Sequence, residues 1–567
     1  MAHLAFNLRR DPWIQVLTKA TGTVQTVSLA TLLDRPQDYD RLAGDTAAQD
    51  LAVLRLLLAL LHTVYSRVDA TGQPYDWLDL DPTTGAVNDI DPDASGWAAD
   101  LLATWQTLHQ TGQFGAALDY LTQHEAQFDF FGATPFYQVT AAQYDALVPA
   151  KKQIHTGTGT VALKQINRLV SESANSPALF APKSGAGKDS LTLPELVRWV
   201  ITYQNFTGVT DKSKIETPEK FAAPAGWLYR LNPVFAKGQD LVETLLLNLV
   251  LTDGKVYHSE QPVWEQPLDA YVAQRIKQVL PDNVAALYTA WSRLLHIEWD
   301  TAGRPTIFAA GLPMYASDNA FIEPMTTWRR DDKAAVETYR PATRGQRNMA
   351  YAMWRNFGQY VRTSSAVAMH EPGVVQWLGR LQEQQLLARE RHLTLAAVAL
   401  ISDGNATSQS PVAEMVDDMT LAAAVLFDRT DGDFWPGRIE DTIAATQQIG
   451  RDYWAFLSNV ATIRNLDRTA FGTKHSAAFY ARLNGPFKDW LASLTNQDDR
   501  EARIREWYQT LQRLVLTTAD AFVQQATPRD LSGIETERGV MNIFVARNIL
   551  AATVRRDLNI EKRNANG

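Results

Sequence analysis

The sequence predicts an α+β protein in two parts: a large mixed α/β N-terminal domain over residues 1–410, then an antiparallel four-helix bundle over residues 411–567. Three observations carry that expectation. Near the N-terminus and again before residue 402, short apolar stretches of strand-like character lie beside turn signals. From Ser410 onward, long amphipathic stretches joined by short polar links take their place, which is the pattern of helices packed on one another. The composition, 46% hydrophobic and 21% charged over 567 residues, is that of a chain able to bury a core, and it excludes global disorder.

Residues 13–17 and 24–27 alternate apolar and polar positions about Thr21-Gly22-Thr23 and read as a β-hairpin. A helix follows, capped by Asp45 or Thr46, with Leu51, Leu54, Leu58 and Leu61 on one face. Its apolar run 51–64 contains Arg55 and His62 and is shorter than the roughly 20 residues a membrane span needs, so it is expected as a buried helix with no membrane role. A loop at 69–96, rich in Gly, Pro, Asp and Thr, precedes a second helix near 97–108. Residues 174–191 have loop composition with one apolar anchor, Phe180. Thr192 with Glu195 then forms a capping-box pattern that starts a helix through Leu196, Val197, Val200 and Ile201. That helix runs out at 207–214, where Gly208 is able to take positive φ. Residues 393–401 are strand-compatible and Asp403-Gly404-Asn405 is a turn signal. Ser410 and Pro411 read as an N-cap and N1 pair opening the bundle, with helices expected near 411–427, 438–466, 475–494 and 499–527 and a further one near 540–557.

Chemistry is mostly excluded. The chain has no cysteine, so disulfides, thiolate zinc sites and a cysteine nucleophile are impossible; with no secretory pattern at the start, a cytoplasmic protein is expected. Gly185-Ala186-Gly187-Lys188 lacks the earlier glycine and following hydroxyl of a phosphate loop, and Gly157-Thr158-Gly159 lacks the third glycine of a dinucleotide fingerprint. Pro372 and the missing histidine at 374 break any zinc-helix reading of His370-Glu371. The acidic stretch 428–440 lacks calcium-loop ligands at both ends and reads as a link between helices, and His296-Ile297-Glu298 reads as structural. Adjacent pairs such as Asp331-Asp332 and Asp417-Asp418 do not face each other on a helix and make poor acid/base partners. No catalytic residue, metal or cofactor is therefore expected. The net charge of −9 argues against a uniformly basic nucleic-acid binder, yet 151–220 holds 10 Lys+Arg against 6 Asp+Glu and 326–362 holds 8 against 3.

Several weak elements fall in a definite order: Trp13-Ile14 before the hairpin, Pro135-Phe136-Tyr137-Gln138, Leu245-Leu246-Leu247-Asn248, Gln261-Pro262-Val263-Trp264, His296-Ile297-Glu298, then the strand, turn and helical region. Taken together over about 500 residues, they resemble the large-subunit family, CasA, of the type I-E CRISPR surveillance complex, Cascade. The resemblance implies a non-catalytic subunit of an RNA-guided antiviral complex, which checks the short motif flanking a target in double-stranded DNA, helps open the duplex and recruits a helicase-nuclease. Its implied partners are the other Cascade subunits with guide RNA, target DNA and that effector.

By position, the resemblance assigns three devices. The loop touching the guide-RNA handle and flanking DNA is 179–188, with Phe180 as its aromatic anchor and Lys183 and Lys188 on phosphates. The minor-groove loop is Gly208, Val209, Thr210 and Lys212, across Asp211. The wedge is Gln409, flanked by Asn405 and Ser408. The minor groove shows a degenerate acceptor pattern, so close backbone approach at Gly208 suits a tolerant check. The loop departs from the family in having a single glycine, and no lysine lies in 300–332, where the family has a lysine finger; Arg304, Arg329 and Arg330 are the nearby cations. Structural uses stay open: Phe180 as a loop anchor, Gly208 as a helix cap, Gln409 as a solvated turn. So do two other functions, a metal-dependent hydrolase or nuclease and a purely structural scaffold.

Overall fold

The computed structural model describes the chain except for residues 1–4, 92, 157–159, 162, 168–189, 209–212, 223–224, 301–302, 346–350, 364–368, 403–410, 430–433, 538 and 559–567. It divides into two compact units, one of 1–349, 368–380 and 395–417, the other of 350–367, 381–394 and 418–567. Set beside a single boundary near 410, the second unit also takes in two segments from earlier in the chain, while 411–417 falls in the first.

The first unit is built around the helix Ala47–Tyr65. All its residues but Ala47 and Asp50 are buried, so the expected one-sided helix is apolar all round and sits in the core. By length and composition it would pass as a membrane span, but here it packs against the helices Leu193–Phe206 and Val284–Tyr288. The N-terminal hairpin forms as expected: Ile14–Thr18 pairs antiparallel with Val24–Val27, Ile14 opposite Val27, and Gly22 turns the chain at φ 63°. Tyr39–Leu42 adds a third strand. The expected loop 69–96 contains a small hairpin, Leu78–Leu80 with Val87–Ile90. A second helix runs over Trp97–Thr111, and Arg293–Trp299 pairs with Pro305–Gly311.

Two buried ionic networks tie distant segments to this core. Arg55 and Glu323, both fully buried, form a bidentate pair at 2.9 and 2.9 Å. Glu323 also accepts from the Trp227 indole at 2.7 Å and from Met325 N at 3.1 Å, and Arg55 lies 3.9 Å over the Tyr288 ring. In the second network Arg67 holds Glu265, which also accepts from Tyr120 Oη at 2.5 Å, and Arg67 reaches Glu260 O. Burial pushes the Glu260 carboxyl, which accepts from Ala285 N, up to about 7.

The expected helix 411–427 is absent. Pro411–Ala422 is a strand, followed by the single helical turn Ala423–Leu426, and Pro411 is its first residue instead of a helix N1. The apolar residues of this stretch fit helical spacing, but pairing with the long strand His392–Ser402 overrides local preference. His392–Ser402 is central, between Pro411–Ala422 and Val234–Lys237.

In the second unit the helices Trp435–Ile463, Arg468–Ala492, Arg500–Gln524 and Ile543–Leu558 pack on one another. The long helices therefore begin at Trp435, and the helix expected near 540–557 packs with them. Asp467 and Asp499 cap two of the helices by accepting from Ala470 N and Ala502 N. Their shared interior is aromatic: Phe487 stacks on Trp354 at 4.1 Å and meets the edge of Trp507 at 4.8 Å, while the Trp507 indole donates to Thr446.

Two stability predictions follow from the buried groups. Arg55→Met strands the Glu323 charge and should cost about 3–5 kcal/mol in denaturant unfolding, whereas Arg55→Met with Glu323→Leu should recover part of that loss. The folded chain holds the Glu260 proton up to about pH 7, whereas the unfolded chain releases it near 4.5. Stability from this group is thus full below about pH 4.5 and falls as pH rises toward 7, so Glu260→Gln should flatten that part of a profile of urea midpoint against pH.

Candidate functional site

The site is assembled from the helix that ends at Gly208. Thr192 caps its start and the capping box is complete: Glu195 N donates to Thr192 Oγ1 at 3.4 Å and Thr192 N to Glu195 Oε2 at 2.8 Å. The helix Leu193–Phe206 is about 21 Å long. From Leu196 onward every residue is buried, which fixes it within the core.

Its C-terminal end is held from three sides. Gly226 N donates to Thr207 O at 2.8 Å and Leu228 N to Asn205 O at 3.0 Å, satisfying carbonyls that a helix end leaves open. The backbone approach is so close that a Cβ on Gly226 would lie 2.2 Å from Asn205 O, so only glycine fits. The fully buried Gln204 side chain accepts from Ser292 N and Arg293 N and donates to Arg293 O, binding the helix to the strand Arg293–Trp299. Arg293, itself fully buried, donates to Gly208 O at 3.2 Å. On the far side of 209–212, Gly311 N donates to Ser213 O at 2.9 Å and Ile215 N to Gly311 O. The chain thus enters and leaves 209–212 through fixed points.

Gly208 lines a cleft of about 60 Å³ with Gln165, Ile166, Trp199, Tyr203, Phe206, Thr207, Tyr229, Leu400, Ile401, Ser402 and Pro411. That volume is several-fold below the roughly 300 Å³ at which small-molecule pockets begin, so the cleft is a junction of chain segments and not a cofactor pocket. Ser402 and Pro411 are the residues on either side of 403–410, and Ile166 stands just before 168–189. The cleft therefore brings together Gly208, the two residues that flank 403–410, and Ile166.

Of the expected site residues, Gly208 alone is described, and it is buried. Phe180, Lys183, Lys188, Val209, Thr210, Lys212, Asn405, Ser408 and Gln409 lie outside the described residues. Some of the basic excess serves the fold: Arg198 is buried and donates to Trp13 O and Gln49 Oε1, and Lys214 Nζ donates to Phe221 O. Arg304 is tied to Asp300 at 2.7 Å, while Arg329 and Arg330 stand exposed on the strand Trp328–Arg330. His296 has its ring nitrogens on Val139 O and Glu298 Oε1, at 2.8 and 2.7 Å, consistent with a structural role. Among the described residues no group of three or more His, Asp or Glu is placed to hold a metal. Sequence reasoning missed Gln204, Gly226 and Arg293, whose partners lie far off in the chain.

Comparison with known proteins agrees with this fold. A family model described as CRISPR-associated protein Cse1 matches residues 7–518. A curated CasA/Cse1 protein of Thermus thermophilus is 24% identical over 418 residues, 70% of this chain and 68% of that protein. The crystal structure of Thermobifida fusca Cse1 matches with a TM-score of 0.76 at 23% identity, covering 98% of each chain. A chain from a structure titled CRISPR RNA-guided surveillance complex matches with a TM-score of 0.57 at 13% identity, covering 97% of this chain and 99% of that one. The family match takes in the helix that presents Gly208, its anchoring strand and both strands flanking 403–410, and on that extent the chain belongs to the CRISPR-associated Cse1 (CasA) family.

Proposed function

We propose that this chain is the large subunit of an RNA-guided DNA surveillance complex, where it reads the motif flanking the target, helps open the duplex and offers a surface for recruiting a helicase-nuclease. It acts without catalysis. The observation that carries the reading is the meeting, at one small cleft, of Gly208 with Ser402 and Pro411, the residues that flank 403–410. Family membership and the likeness to a surveillance-complex chain support it.

The physical logic is a division of labour. Guide pairing supplies sequence specificity, as in other RNA-guided systems, so the protein has to read only a short flank. A loop that starts at Gly208 and is anchored at both ends can bring backbone close to the minor groove, whose degenerate pattern suits a tolerant check. Separating base steps costs a few kcal/mol each, and a side chain only two positions before a strand start, as Gln409 is before Pro411, would be well sited to meet that cost. Lys183, Lys188 and Lys212 would act on phosphates, and Phe180 on the RNA handle or flank. The helical unit, expected as an antiparallel four-helix bundle, serves as a docking surface for neighbouring subunits.

Affinity of the guide-loaded complex for target DNA, measured with and without this chain across all flanking trinucleotides, tests the reading. A preference for a few flanks that depends on the chain is expected; an equal gain for every flank would reduce it to a scaffold or nonspecific clamp. In the same complex Gln409→Ala should slow strand opening on matched duplex more than it weakens binding to a pre-melted target, and equal effects on both would remove the wedge role.

A further inference from the structure

The start of the core helix Ala47–Tyr65 is completed by a residue more than 360 positions away. A helix leaves its first four N–H groups without intrahelical partners. Here Gln49 N donates to Thr46 Oγ1 and Asp50 N to Thr46 O, while Ala48 N and Ala47 N donate to the Glu414 carboxylate at 2.7 and 3.3 Å. A negative charge at that end is also favoured by the helix dipole. Asp45 and Asp50 lie close by. Asp50 accepts from Gly44 N, and burial, reinforced by the Glu414 and Asp45 charges, pushes its carboxyl up to about 7, which lessens the negative charge that Glu414 must share at neutral pH.

Glu414 lies in Pro411–Ala422, which among the described residues is an edge strand of its three-stranded sheet. The strand begins at Pro411, which has no N–H to donate to the ladder and which lines the Gly208 cleft. Three residues on, about 10 Å along the strand, Glu414 ties it to the buried core helix of the unit.

We propose that Glu414 is a positioning residue: its carboxylate, seated on the N-terminus of the core helix, holds the edge strand so that its first residue, Pro411, stays at a fixed place beside Gly208. This rests on reading 403–410 as the duplex-opening element. The test compares Glu414→Ala, Glu414→Gln, Gln409→Ala and Glu414→Ala with Gln409→Ala, each as the full chain in the guide-loaded complex. Opening rates on fully paired matched DNA, affinity for a pre-melted target and hydrogen exchange at Ala47 and Ala48 are followed. Glu414→Ala should speed exchange at both amides and slow opening about fivefold, the size of a lost helix cap, while leaving pre-melted affinity unchanged. Glu414→Gln, which keeps one carbonyl acceptor, should recover part of the rate, and the double variant should open no more slowly than Gln409→Ala alone. If Gln409→Ala slows opening and Glu414→Ala does not, or if the two effects multiply, the positioning role is overturned while the wedge stands. An equal loss of pre-melted affinity in Glu414→Ala would make Glu414 a general stability residue and likewise overturn the role. If Gln409→Ala leaves opening unchanged, the wedge reading itself falls and takes the inference with it.

Discussion

The buried Arg55–Glu323 pair is the constraint on which the first unit depends. A charged residue on a helix that is apolar on every face has to meet its counter-charge inside the protein, and Glu323 can reach it only if the segment around 320–325 lies against the core helix. Once there, Glu323 orients the Trp227 indole, and Trp227 follows directly on Gly226, whose backbone closes the end of the helix Leu193–Phe206. The route from a buried ion pair to the Gly208 cleft is thus a short chain of hydrogen bonds. Such a pair adds little net stability over an apolar substitute, but it admits few alternative arrangements of the segments it joins.

Much of this fold was legible because the signals were local. The Thr21-Gly22-Thr23 turn, Thr46 as a cap, the Thr192 and Glu195 capping box and the amphipathic runs beyond residue 435 each depend on neighbours within a few positions, and each stands where the sequence puts it. The exception is instructive. Residues 411–422 carry apolar side chains at spacings that satisfy a helix as well as a strand, and Ser410-Pro411 imitates a helix start. What decides the matter is a partner strand, His392–Ser402, whose pairing no local pattern encodes.

The site was legible only in part, for the same reason. With Thr207 as the cap, Gly208 could be singled out only as the glycine just beyond a helix. Why its carbonyl is fixed could not be, because Arg293 lies 85 residues further on and Gln204 acts through a strand that sequence reasoning treated separately. Arg55 could be noticed as a charge in an apolar run, but its partner is 268 residues away. Long-range polar contacts of this kind leave no periodic trace; they are visible only as residues that look out of place.

The bonds that root 209–212 have an evolutionary corollary. Gly208 O, Thr207 O and Ser213 O are engaged by Arg293, Gly226 and Gly311, none of which belongs to the four residues between. These three bonds need no side chain from those four residues. Sequence change between the anchors can therefore accumulate without removing a partner of any of the three.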